Sequence, residues 1–296
     1  MSDLTKYLKS TSKKISTCSQ PLVYNLEHLC IIEICGKDVI SFLQRMTTNN
    51  IESIHEKGFV ATIFTNDKGR IIDSVYLLKF EKKLLMICHK IYREKLIAWI
   101  DKYTILDDVT VQKTDDYFLW QVWNYQIAKG SQIKSFNISM GNVSVNWFIG
   151  MKSQQKSIVE NLSNANANIC ENNAYEYYRI QENIPTAPNE IHDLINPHEI
   201  NFLDRLDFEK GCYVGQEVIA RLDTYDKVQK YLRRFSCDHK NVKEGSSIYS
   251  IEGKSIGNVT SISNLEEKTI GLLFIRKKFI ENKQLMLENG EKITIE

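Results

Sequence analysis

The sequence predicts an α+β chain that closes in a small β-barrel. Between residues 29 and 103, short apolar strand-like runs are interspersed with runs whose apolar residues recur every three or four positions. After Arg234 the chain breaks into short strands punctuated by glycine, the pattern of a small barrel of about sixty residues. At 296 residues and 43% hydrophobic, the chain is long enough for two or three domains with buried cores.

Residues 29–34 (LCIIEI) read as a buried strand ended by Gly36. In KDVISFLQRM (37–46), Val39, Ile40, Phe42, Leu43 and Met46 share one helical face, with Asp38 placed as cap or dipole partner. FVATIF (59–64) and IIDSVYLLKF (71–80) flank the turn signal TNDKGR and read as a hairpin, and KLLMIC (83–88) supplies a third strand. YREKLIAWIDKY (92–103) should lie as a helix across that sheet. VTVQK (109–113), YFLWQVW (117–123) and NVSVNWFIG (142–150) are strand-like in composition. SQQKSIVENLSNAN (153–166) and NAYEYYRIQENI (173–184) read as helices, the second stopped by Pro185. Pro185, Pro188 and Pro197 then stiffen a loop-rich stretch to residue 208, as a fixed connection over the surface or the wall of a site. The domain boundary is expected near Arg234, giving 1–234 and a barrel over 235–296. The first fourteen residues lack arginine and contain Asp3, so they read as a frayed terminus rather than a transit peptide.

With 38 basic and 37 acidic side chains the chain carries no global field toward nucleic acid or an anionic membrane. No stretch approaches the apolar length of a membrane-spanning helix, and no secretory signal follows the first lysines. The seven cysteines form no Cys-x-x-Cys and no zinc-ligand spacing, which points to free thiols.

Two positions stand out for chemistry. In FEKGCYVGQEVIARL (208–222), Lys210 precedes Cys212 and a helical run follows it, and both features favour a thiolate. Gly211 and Gly215 allow close backbone approach to a ligand, and Gln216 and Glu217 fall in the first helical turn. The plainer alternative makes Cys212 a small buried hydrophobe and Glu217 a capping residue. Asp73, in an apolar strand, is costly to bury without a partner. It is a proton acceptor or a ligand for an amine, or it faces water. Arg179 and Glu182 have the spacing of a surface pair, and the scattered histidines read as exposed or structural. Tyr117, Trp120, Trp123 and Trp147 read as core before they read as a stacking platform.

FEKGCYVGQEVIAR (208–221) resembles the signature of the YgfZ family, folate-binding proteins that assist iron–sulfur cluster assembly and repair and include a mitochondrial branch. That family is similar to the glycine-cleavage T protein, an aminomethyltransferase. GKDVISFLQRMTTNNI (36–51), DKGRIIDSVYLL (67–78), YRIQENIP (178–185), GNVTSIS and IGLLFIR resemble the shared scaffold, so the likeness spans 29–276. Three departures separate the branches: Asp73-Ser74 stands where the T protein has an Asp-Asp pair, Arg179-Ile180-Gln181 where it has Arg-x-Glu, and Cys212 where it has no cysteine. Loss of those carboxylates speaks against aminomethyl transfer.

The resemblance implies three lobes in a ring, two interleaved α+β lobes and the barrel, with tetrahydrofolate or a folate derivative in a central channel. It implies cofactor-binding roles for Asn49, Arg179, Tyr213, Gly215, Gln216, Glu217 and Arg221, and reactive roles for Cys212, Lys210 and Asp73, with no metal ligands. The partners it implies are iron–sulfur client or assembly proteins, without direct nucleic-acid or membrane contact, so the chain leans away from being an enzyme itself. The short stretch before Gly36 favours a bacterial cytoplasm over a mitochondrion. The rival reading is an aminomethyltransferase of the glycine-cleavage system.

Overall fold

The computed structural model describes residues 3–80, 83–127, 131–238, 241–265, 267–282 and 284–296. The chain divides into two compact units interleaved along the sequence. One comprises Met1–Leu26, Asp116–Pro185 and Leu232–Glu296, the other Glu27–Asp115 and Thr186–Tyr231.

The first unit holds a sheet of six strands in the order Lys9–Thr11, Asn168–Cys170, Leu22–Asn25, Tyr117–Trp123, Val143–Met151 and Lys134–Met140. Helix Gln155–Asn164 seats Ile158, Val159 and Leu162 against Phe118, Trp120 and Phe148, so the aromatic strand is core, as its composition predicts. Leu4 and Leu8 are buried in the same cluster, which corrects the reading of a frayed terminus. Two leucines four residues apart supply enough apolar area to dock a short terminal turn.

The same unit contains a closed barrel of six strands, opened by Lys230–Cys237 and closed by Lys292–Ile295. The position of the expected boundary, Arg234, lies inside the opening strand. Phe235 fills the barrel interior, and a Cβ at Gly271 would stand 2.4 Å from its ring. That contact explains why IGLLFIR carries a glycine in mid-strand.

The second unit is built on a five-stranded sheet in the order Phe59–Thr65, Ile71–Phe80, Lys83–His89, Leu29–Cys35 and Thr110–Lys113. Helices Val39–Met46 and Arg93–Tyr103 pack Phe42, Leu43, Leu96 and Ile100 on one face, against Ile32, Val75, Leu77 and Met86. Alternation sends Ser74 and Tyr76 to the opposite face, where both meet the Arg205 guanidinium. Covered on both faces, strand Ile71–Phe80 is buried at every position but Lys79, which is why apolar residues stand at successive positions on either side of Asp73-Ser74.

The proline-rich connection is not a surface strap. It carries buried Glu190, Asn196, His198, Glu199 and Arg205. Pro197 opens the turn Pro197–Ile200, whose Asn196 side chain accepts from the His198 and Glu199 amides while the Glu199 carboxylate accepts from the Asn196 amide. Reciprocal capping of this kind lets polar backbone run through an interior without orphan groups.

Candidate functional site

The motif loop in the second unit is fixed at both ends. Asp207 accepts from the Glu209 and Lys210 amides at 2.8 and 3.0 Å, forming the turn that aims Lys210 inward. The Lys210 ammonium donates to the Thr47 carbonyl at 2.6 Å and the Asn49 carbonyl at 2.7 Å. Thr47 ends helix Val39–Met46, so this cation satisfies a terminal carbonyl and the negative end of the helix dipole. Burial pulls the Lys210 amine down to about 8, with the Asp207 and Glu52 charges opposing the shift.

At the other end the Thr65 hydroxyl donates to the Val214 carbonyl at 2.6 Å. Gly215 sits at φ +84°, where an added Cβ would lie 2.4 Å from the Asn66 carbonyl. The hairpin turn TNDKGR therefore docks directly against the motif, through backbone contact that only glycine permits. The helix itself, Gln216–Thr224, opens four residues beyond Cys212 with Gln216 and Glu217 in its first turn, as the sequence predicts, so the thiol lies outside that turn. Glu217 and Arg221 are exposed and Gln216 is half-buried.

Between the two anchors, Gly211 and Cys212 are exposed, and nothing lies within 4 Å of a Cβ built on Gly211. Tyr213 turns inward to 7% exposure, its ring 5.2 Å from the Lys210 ammonium. Its hydroxyl has no hydrogen-bond partner, and burial, with the Asp207 charge, raises it to about 12. A cleft of about 270 Å³ in this unit is lined by Cys35, Val39, Ile40, Ile54 and Leu84 among others, and Cys212 is not on its wall.

Asp73 is fully buried, which decides against its facing water. One carboxylate oxygen contacts the His89 ring nitrogen Nδ1 at 2.6 Å and accepts from the Ser74 amide at 2.8 Å, and the other accepts from the His89 amide at 2.9 Å. Arg205 lies 3.7 Å over the Phe202 ring and donates to Ser74 and Tyr76, while its Nε finds no acceptor. Burial raises the Tyr76 phenol, against the opposing pull of Arg205.

Asn49 is spent on structure: its amide nitrogen donates to the Ala61 and Asp204 carbonyls, and its oxygen accepts from the Asn50 amide. Arg179 lies in the first unit and is not the surface partner of Glu182. It is 2% exposed, paired with Glu176 at 2.6 Å and donating to Ser261 at 2.9 Å. Spacing allows Glu176 and Glu182 equally, and the barrel hydroxyl selected the first. Lys210, Cys212, Tyr213, Gly215, Gln216, Glu217, Arg221, Asn49 and Asp73 thus share one unit. His89 and Arg205 escaped the sequence reading. His89 ends a strand as an ordinary polar residue would, and Arg205 sits in NFLDRLDF with no pattern around it. Among the described residues no group of three or more His, Cys, Asp and Glu could hold a metal ion, and no helix is long and apolar enough to cross a membrane.

Residues 16–123 match the model of the GCVT N-terminal domain. A chloroplastic protein of Arabidopsis thaliana named as a transferase is 25% identical over 87% of this chain, which spans 66% of that protein. The tRNA-modifying protein YgfZ of Buchnera aphidicola is 24% identical over 70% of this chain and 70% of its own length. An aminomethyltransferase of Thermosipho melanesiensis is 22% identical over 92% of this chain and 82% of its own. The crystal structure of the glycine cleavage system aminomethyltransferase T from Bartonella henselae superimposes with a TM-score of 0.79 at 11% identity, covering 99% of this chain and 87% of that one. The sheets and the closed barrel give this chain the fold of the glycine-cleavage T protein, and in sequence it is similar to the GCVT N-terminal domain over residues 16–123 and to proteins named tRNA-modifying protein YgfZ.

Proposed function

We propose that the protein binds a reduced folate and assists assembly or repair of iron–sulfur clusters in client enzymes, tRNA-modifying ones included, with Cys212 as its reactive group. One observation carries this reading: the thiol stands exposed on a loop whose flanks are pinned by a buried lysine and by a glycine that tolerates no side chain. A thiol placed for packing would need no such scaffold. The relatives named tRNA-modifying protein YgfZ support the client class.

The second unit offers a polar heterocycle two unsatisfied buried donors, the Tyr213 hydroxyl and Arg205 Nε, which fit a ligand rich in carbonyl and ring-nitrogen acceptors. Bound folate would supply one-carbon chemistry. The chain's own part is to orient it with Tyr213 and Arg205, with exposed Arg221 available to a carboxylate tail. Lys210 and Gly215 act at one remove by holding the loop. Asp73, sealed with His89, keeps strand Ile71–Phe80 in register rather than meeting a ligand amine. The compartment that goes with this reading is a bacterial cytoplasm.

The test has two arms. Folinic acid should raise the melting temperature of the wild type. Cys212→Ser should keep that shift yet fail to complement a bacterial strain lacking its YgfZ homologue. Full complementation by the variant contradicts the proposal. The aminomethyltransferase relative, which aligns over most of the chain, makes the second reading concrete. Release of ammonia from an aminomethylated lipoyl carrier in the presence of tetrahydrofolate would establish it instead.

A further inference from the structure

The second unit carries a pair of thiols that the proposed function does not use. Cys30 and Cys88 are direct cross-strand partners in the antiparallel ladder of Leu29–Cys35 with Lys83–His89. Directly opposed residues in such a ladder have Cα atoms about 4.5–5.5 Å apart, inside the range of about 4.4–6.8 Å that a disulfide spans. Opposed side chains also leave the sheet on the same face. Here that face is the one under helix Arg93–Tyr103, where Cys88 is a core residue and Cys30 packs beside it. The two sulfur atoms already stand 3.4 Å apart, in hydrogen-bond contact.

We infer that Cys30 and Cys88 form a redox-active dithiol that closes to a cross-strand disulfide by exchange with a small-molecule disulfide of the glutathione class.

The two sulfurs have different parts. Cys88 is fully buried, whereas Cys30 is half-buried and is the one a reagent meets first. The Cys88 contact favours the thiolate of Cys30 most strongly, and the Arg93 and Lys90 cations add to it, while burial and the Asp73 charge oppose it. The same contact and burial hold Cys88 protonated. Nucleophile and resolving thiol are thus separated by environment. In the first step the Cys30 thiolate attacks the oxidant's S–S bond, forming a mixed disulfide and releasing one small thiolate, which takes a proton from water. In the second, the Cys88 sulfur attacks the Cys30 sulfur, and the second small thiol leaves with the proton that Cys88 gives up. Two protein thiols are oxidised and one small disulfide is reduced to two thiols. The bond would tie the two strands one residue from His89, the partner of Asp73.

The experiment uses the full chain with Cys212→Ser as background, so that the exposed thiol does not compete for reagent. The protein is incubated with oxidised glutathione, blocked with an alkylating agent, digested, and its peptides are identified by mass. The expected result is a linked pair of peptides containing Cys30 and Cys88, with both thiols lost together and recovered by reductant. Cys30→Ser, at a half-buried position, should abolish the link and leave Cys88 reduced. Full alkylation of both cysteines after the same exposure overturns the inference. So does a stable glutathione adduct on Cys30 with Cys88 still free.

Discussion

Two regions of the second unit hold its chemically capable residues, and they are built in opposite ways. Around Asp73 every polar group turns inward, and the carboxylate gives its oxygens to the His89 ring and to the His89 and Ser74 amides with no exposure to solvent. Around Cys212 the polar groups hold the backbone, and the thiol itself is left uncovered. A carboxylate costs much to bury alone, so the strand that carries it must supply partners, and those partners use up its capacity to act. An exposed thiol costs little, so the structure is spent on where it stands. Chemical capability in the sequence therefore marks two different things: a buried group tied into a sheet, and an uncovered group on a fixed loop.

Substitutions should separate the regions sharply. Asp73→Ala strands the His89 ring and amide inside the sheet and should cost about 3–5 kcal/mol, read as a lower urea midpoint. Gly215→Ala drives a Cβ into the Asn66 carbonyl at a left-handed φ, and a loss of about 2–4 kcal/mol is expected from the same measurement. Lys210→Met leaves the Thr47 and Asn49 carbonyls unpaired, at about 1–3 kcal/mol near pH 7. Its pH dependence sharpens the point. The amine titrates at about 8 in the fold and at about 10.4 when unfolded, so between those values the unfolded chain holds more protons. The wild type should therefore gain stability from pH 8 to 10.4 relative to the methionine variant, having carried the full cost of burying the charge below pH 8. Gly211→Ala, next to Lys210 in sequence but facing open space, should stay within about 0.5 kcal/mol.

What the sequence disclosed follows the range of the forces involved. Helix Val39–Met46, the hairpin to Phe80 and the glycine-punctuated barrel strands are set by neighbours a few residues away, and all were legible. The strand Lys134–Met140 was not read, although Phe136, Ile138 and Met140 alternate with Ser135, Asn137 and Ser139 as they do on a half-exposed edge strand. The site was legible only as residue types. That Lys210 would close on carbonyls at positions 47 and 49, that Arg179 would choose Glu176 and a barrel hydroxyl, and that Asp73 would find His89 across a strand pair each depend on contacts that only the assembled sheet creates.

The most direct measurement pairs stability with function at Cys212. Cys212→Ser should melt within a degree or so of the wild type, since an exposed position contributes little to the fold, and should lose complementation of the YgfZ-deficient strain. A variant that keeps its stability and complements in full would show that the loop holds nothing ready, and the contrast between the two regions would fall with it.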